Sequence, residues 1–249
     1  MSVTRRNLLV LGAIAAAIAV AQRSNLAGRL RPAPDLNFIG LDDPPGYRRL
    51  PGGPVSAATA LFAGLGDQAP APLVAARAEV DRDLCGTLHS TVTAPGTVPV
   101  AYFYDYQCPI CRRLSPRLRD LPGITLTWHD LASLGVASDL AARAAIAARA
   151  QGAFDAFHDR MMRAVFQPTD GYISALAESV GIDAKRLLAD MAAPEVTRQM
   201  NRSRALSDRF GMPGTPGLVI GRTLVIGDVD DKTLNRIIAL EAAAPGPCG

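Results

Sequence analysis

Net charge is what this chain has least of: 26 basic residues against 23 acidic ones leave +3 over 249 positions, and the basic residues are dispersed without interleaved aromatics. Nucleic acid is therefore not an expected partner, because binding a phosphate backbone needs a concentrated basic face. Histidine is scarce too, with His89, His129 and His158 standing singly, and there are only four cysteines. A structural zinc site needs four ligands at compact spacing, so no metal is expected, and no sequence feature calls for a cofactor. The uncharged run at residues 8–21 is fourteen long, short of a comfortable membrane span. No internal repeat is present. With 49% hydrophobic and 20% charged residues the composition is globular, and the length allows one substantial domain with an appendage or two small ones. Arginine outnumbers lysine 24 to 2, which reflects genome composition more than function.

The most informative stretch is Cys108-Pro109-Ile110-Cys111. Residues 98–104 (VPVAYFY) before it form a short apolar, aromatic run bounded by Pro95-Gly96, the pattern of a buried strand. Leu114, Leu118 and Leu121 then recur at helical spacing. Cys108 is thus expected where a strand ends and a helix begins, with Pro109 at the first helical position, where its missing N–H costs nothing. There its sulfur faces free backbone N–H groups and the positive end of the helix dipole, and both favour thiolate over thiol. Two readings compete, a zinc half-site and a redox dithiol. The missing second pair of ligands favours the dithiol.

The N-terminus reads as an export signal over residues 1–21. Arg5-Arg6 open it, the apolar-to-small run follows, and Ala19-Val20-Ala21 offers an A-x-A cleavage site before Gln22. The segment Thr4 to Leu9 resembles a twin-arginine signal, with Leu8 where that pattern usually has Phe. An ordinary secretory signal, an uncleaved anchor and a buried helix are the alternatives. Export implies an oxidising compartment, and membrane contact is expected only if the signal stays uncleaved.

Residues 22–95 form a Pro/Gly-rich extension (RPAPD, DDPPGY, PGGP, APAP) with no sustained period, expected to be irregular. Apolar pieces at 36–41 and 57–65 are placed to dock on the main body, the second as a short helix, and 73–84 patterns as an amphipathic helix. Beyond the CxxC helix, residues 124–128 (ITLTW) alternate like a strand, so a strand-helix-strand unit with parallel neighbours and a right-handed crossover is expected. A helical block covers about 138–210, with Ser138, Asp183 and Pro194 as helix starts and Gly152 and Gly181 as stops. Strands at 218–220 and 223–226, joined by Gly221-Arg222, pattern as a hairpin, and Asp230 caps a final helix.

This order resembles the thioredoxin fold with the helical insertion of the DsbA-like thiol:disulfide oxidoreductases. The run Asp105-Tyr106-Gln107-Cys108-Pro109-Ile110-Cys111-Arg112 matches the family's active-site stretch, and Gly214-Thr215-Pro216 matches its second motif. The resemblance covers about 98–244 and implies an α/β thioredoxin-like domain at 96–249 that carries the insertion. It implies Cys108 as an exposed nucleophile, Cys111 as a buried resolving thiol and a cis Pro216. It also implies that Thr215 offers its backbone to a substrate peptide. The implied partners are cysteine-containing exported proteins and a redox partner protein, in the periplasm. Isomerase or reductase activity, and a non-catalytic client-binding or assembly role on the same fold, are the rival functions. Two departures stand out. Tyr102 occupies the place where many members bury an acid, and Asp105 is offered instead, as a proton handler or as a cap of local backbone. The Pro109-Ile110 interior lacks the His of the family's strongest oxidants, which implies a less depressed thiol pKa.

Elsewhere, Cys85 and Cys248 are readable as a second, structural disulfide or as two independent cysteines. His158, among Phe154, Phe157, Met161 and Met162, is expected to pack rather than ligate, and Trp128-His129 to belong to the core. Arg112 and Arg113 stand as thiolate stabilisers or as solvated charges.

Overall fold

The structure, a computed structural model, describes residues 35–56, 69–163, 165 and 167–248. The export-like segment 1–21 and the apolar piece 57–65 lie outside them. Among the described residues six strands form one sheet: β1 (Ile39–Gly40), β2 (Arg48–Leu50), β3 (Val98–Tyr104), β4 (Ile124–Asp130), β5 (Gly217–Ile220) and β6 (Thr223–Ile226), in the order β1-β2-β6-β5-β3-β4. β3 and β4 run parallel, joined through helix α3 (Pro109–Arg119), while β5 pairs antiparallel with both β3 and β6.

β3, paired on both edges by β5 and β4, is buried on both faces. Val100, Tyr102 and Tyr104 alternate with Ala101 and Phe103, and the two sets enter different cores. The first core takes Leu114 and Leu118 of α3 and Leu234 and Ile237 of the last helix, α9 (Asp231–Ala243). Leu114 and Leu118 are four residues apart, so they share one helix face, and full burial makes each worth about 1.5–3 kcal/mol. The second core joins Ala76 and Val80 of α1 (Ala71–Arg82) to Leu206 and Phe210 at the end of α8 (Pro194–Arg209). Between α1 and β3 lies the short α2 (Leu84–Leu88).

The helical block comprises α4 (Val136–Arg149), α5 (Phe154–Arg163), α6 (Asp170–Ser179), α7 (Ala184–Asp190) and α8. Side-chain caps start two of these helices: Thr169 accepts the Tyr172 N–H and Asp183 accepts the Arg186 N–H. One expected start is displaced. α4 begins after Gly135, and Ser138 lies inside its first turn, where its hydroxyl donates to Asp105 rather than capping the helix.

The Pro/Gly-rich extension does more than lie on the domain. After a turn, β2 adds to the free edge of β6 in parallel, and β1 folds back on β2. Arg48 fixes the join: its guanidinium bonds Glu241 of α9 at 2.6 Å and stacks over Phe38 at 3.7 Å. Glu241 is almost fully buried and also accepts from Thr223 Oγ1 at 2.7 Å and the Arg222 N–H at 3.0 Å, so its charge is paired and hydrogen-bonded as burial requires. At the hairpin turn Gly221 has φ +54°, and a Cβ there would stand 2.6 Å from a Glu241 carboxylate oxygen, so only glycine suits the site. No helix among the described residues is long and apolar enough to cross a membrane.

Candidate active site

β3 delivers the chain to Tyr104, and the turn that follows is held by one carboxylate. Asp105 accepts from the N–H groups of Gln107 (2.8 Å), Ser133 (2.8 Å) and Leu134 (3.0 Å) and from the Ser138 hydroxyl (2.6 Å). It caps local backbone: the carboxylate binds the 105–107 turn to the approach of α4, and its oxygens are occupied there. The Asp105 carbonyl in turn accepts the Cys108 N–H at 3.1 Å, which sets the angle at which the chain enters α3.

Cys108 is the N-cap of α3, with Pro109 at the first helical position. Its sulfur accepts the Cys111 N–H at 3.2 Å and faces the Thr215 carbonyl at 3.6 Å. The Cys111 thiol, then the Ser56 hydroxyl and the Cys111 amide, stabilise the sulfur anion against the cost of burial, and the Cys108 pKa falls to about 5. Cys111 behaves oppositely. Burial first, and the neighbouring Cys108 second, push its thiol well above the ordinary range. Near neutral pH the pair is therefore one thiolate beside one thiol. Ile110 packs on the first core and so anchors the first turn between the two sulfurs.

The Thr215-Pro216 peptide bond is cis and stands across from Cys108. Cys108 is not the exposed residue the resemblance implied: none of its surface reaches solvent. Ser56 pairs with Thr215 as an antiparallel bridge, which sets its hydroxyl beside the Cys108 sulfur. No sequence signal singled out Ser56; the readable one was the Gly pair of PGGP just before it, since paired glycines mark a close approach of backbones.

Around the dithiol, Tyr102 fills the place of the family's buried acid. Its hydroxyl donates to the Cys111 carbonyl at 3.3 Å and accepts from Ser115 at 3.2 Å, and burial raises its pKa well above the usual value, so it stays neutral. Arg112 donates to the Tyr106 carbonyl at 3.0 Å and Arg113 to the Pro109 carbonyl at 3.3 Å. His158 packs among aromatic rings and meets the Tyr106 hydroxyl at 2.9 Å, and burial lowers its pKa to about 3. His129 stacks on Phe103 and contacts the Leu88 carbonyl at 2.9 Å, on the sheet face away from the thiols. Trp128 sits on the other face, against Tyr102, Tyr104 and Phe154. Cys85 in α2 and Cys248 in the tail form a disulfide, with the Tyr47 hydroxyl 3.0 Å from the Cys248 sulfur.

Residues 116–239 match the model of the DSBA-like thioredoxin domain. Among solved structures, a thioredoxin-like oxidoreductase from Silicibacter pomeroyi is 35% identical, with TM-score 0.59; the match spans 64% of this chain and 98% of that one. The thiol-disulfide exchange protein alpha-DsbA2 of Wolbachia pipientis is 22% identical, with TM-score 0.58 over 70% of this chain and 99% of its own. A periplasmic thioredoxin-like protein from Salmonella enterica serovar Typhimurium is 24% identical, with TM-score 0.53 over 65% and 98%. These last two share the fold. Comparison with curated proteins finds no match.

Proposed function

The chain belongs to the DsbA-like thioredoxin family of thiol:disulfide oxidoreductases, and from that premise we propose that it is exported and exchanges disulfides with periplasmic proteins through Cys108 and Cys111. One observation carries the reading: a stabilised Cys108 thiolate at a helix N-terminus beside a Cys111 thiol held protonated. In the oxidising direction a substrate thiolate attacks Cys108 of the Cys108–Cys111 disulfide. Cys111 leaves as a thiolate and takes up a proton. A second substrate thiolate then attacks the substrate sulfur of the mixed disulfide and expels Cys108 as a thiolate. The substrate loses two electrons, the protein disulfide gains them, and the low Cys108 pKa makes it the better leaving group in that last step. Thr215 and Pro216 position the substrate strand, with the Thr215 backbone as its pairing edge. Export is supported by the basic, apolar and A-x-A pattern of residues 1–21, by the Cys85–Cys248 disulfide, and by the Salmonella protein's periplasmic description.

The test is single-turnover oxidation of a dithiol peptide by the oxidised protein. One peptide disulfide should form per protein, Cys108→Ser should abolish it, and Cys111→Ser, which has no disulfide to give, should oxidise no peptide but should hold a glutathione on Cys108 after its thiolate attacks oxidised glutathione and expels one glutathione thiolate. Exchange that survives Cys108→Ser would instead support a client-binding role with no chemistry at this site.

A further inference from the structure

The groove that would receive a substrate strand is already occupied by the protein's own chain. Beyond β2, residues 51–54 (PGGP) cross the end of β6 with backbone lying directly on backbone. A Cβ on Gly52 would stand 1.5 Å from the Ile226 carbonyl oxygen, and one on Gly53 would stand 2.2 Å from that of Asp228. Neither position tolerates any other residue in this path, so the path depends on those two glycines. It brings in Ser56, whose N–H donates to the Thr215 carbonyl at 2.7 Å and whose carbonyl accepts the Thr215 N–H at 2.9 Å. This reciprocal pair is what an added antiparallel strand makes with an open edge. It uses both backbone groups of the residue preceding Pro216. A peptide cannot pair there while Ser56 does.

The register gives the occupant a chemical identity. Ser56 lies beside the buried Cys108 sulfur, and its hydroxyl is among the groups favouring the thiolate. Serine differs from cysteine only in oxygen for sulfur, and it cannot form a disulfide. We infer that residues 51–56 are a built-in pseudosubstrate, with Ser56 standing where a client presents its reacting cysteine, so that a client must displace this arm before Cys108 can react. The partner such a groove fits is an extended peptide whose cysteine is approached by small residues lacking bulk on the β6 side, as Pro51 to Val55 approach Ser56. This rests on the exchange reading for its meaning, but its geometry is testable without catalysis.

The experiment introduces a thiol at the arm in place of the resolving one, as the double variant Ser56→Cys, Cys111→Ser. With oxidised glutathione as acceptor, the introduced thiol and Cys108 lose two protons and two electrons, and the glutathione leaves as two thiols. The expected product is a monomer in which peptide mapping links position 56 to Cys108. A product carrying glutathione on Cys108, or a dimer joined through Cys108, would overturn the proposal. A second measurement follows alkylation of Cys108 by iodoacetamide in the otherwise intact reduced protein. Ser56→Pro removes one of the two ladder hydrogen bonds and should accelerate labelling roughly fivefold or more, the equivalent of one ordinary net hydrogen bond. Gly52→Val, which cannot follow the path at all, should accelerate it further. Unchanged labelling in both variants would mean that the arm does not guard the sulfur. Reduction of wild-type Cys108–Cys111 by dithiothreitol is measured alongside, so a redox-inert dithiol is recognised separately from a misplaced arm.

Discussion

Acidifying the protein with Cys108 and Cys111 reduced should discharge one thiolate with a midpoint near pH 5, visible as loss of thiolate ultraviolet absorbance and absent from Cys108→Ser. The folded pKa is depressed from 9.0, so the thiolate contributes stability that is fully present above about pH 9 and is lost as pH falls toward 5. At pH 7, between the two values, roughly half of that contribution to the reduced form is in place. Reduced wild type should therefore gain stability over Cys108→Ser as pH rises through that window. Because the oxidised form carries no thiolate, the same stabilisation of the reduced form makes the couple more oxidising than it would be with an ordinary thiol. A midpoint at 8 or above would remove the basis for Cys108 as the leaving thiolate. The Pro109-Ile110 interior offers no histidine, yet the pKa is already deeply lowered, because the donors come from Cys111 and Ser56 instead.

Replacing Cys85 and Cys248 together with alanine should lower the unfolding free energy by about 4–5 kcal/mol in urea titrations. The bridge spans 163 positions and encloses β3 to β6 and the helical block, so its loss releases most of the described core to an unrestricted unfolded chain. The Tyr47 hydroxyl contact with Cys248 goes with the sulfur. An unchanged transition would show that the unfolded chain is already compact enough for the cross-link to restrict little.

The elements that carry the chemistry were legible because local pattern and tertiary role agree in them. Residues 98–104 are apolar on both faces and are buried on both. Pro109 and the leucines of α3 announce a helix whose N-cap is Cys108. The hairpin around Gly221 follows from its turn residues. The misses come from places where tertiary contact decides. β1 and β2 have two and three residues, too few to display a period, and exist because β6 has an edge to pair. Ser138 has the composition of a cap, but Asp105 draws its hydroxyl inward and the helix starts earlier. The cover over Cys108 was invisible for the same reason. Nothing in PGGPVS says which carbonyl Ser56 will meet, since that is fixed by where β2 ends relative to Thr215.

The anchoring of β2 by Arg48 and Glu241 has a quantitative consequence for any molecule competing for Cys108. Were residues 51–56 to swing out, Leu50 before them and α1 after them would stay in place, and six extended residues reach only about 20 Å from Leu50. An arm on so short a leash returns as though it were dissolved at roughly millimolar concentration, however dilute the protein. Scarce or weakly held peptides then rarely gain entry. Abundant or tightly held ones do, and the length of the leash sets that threshold.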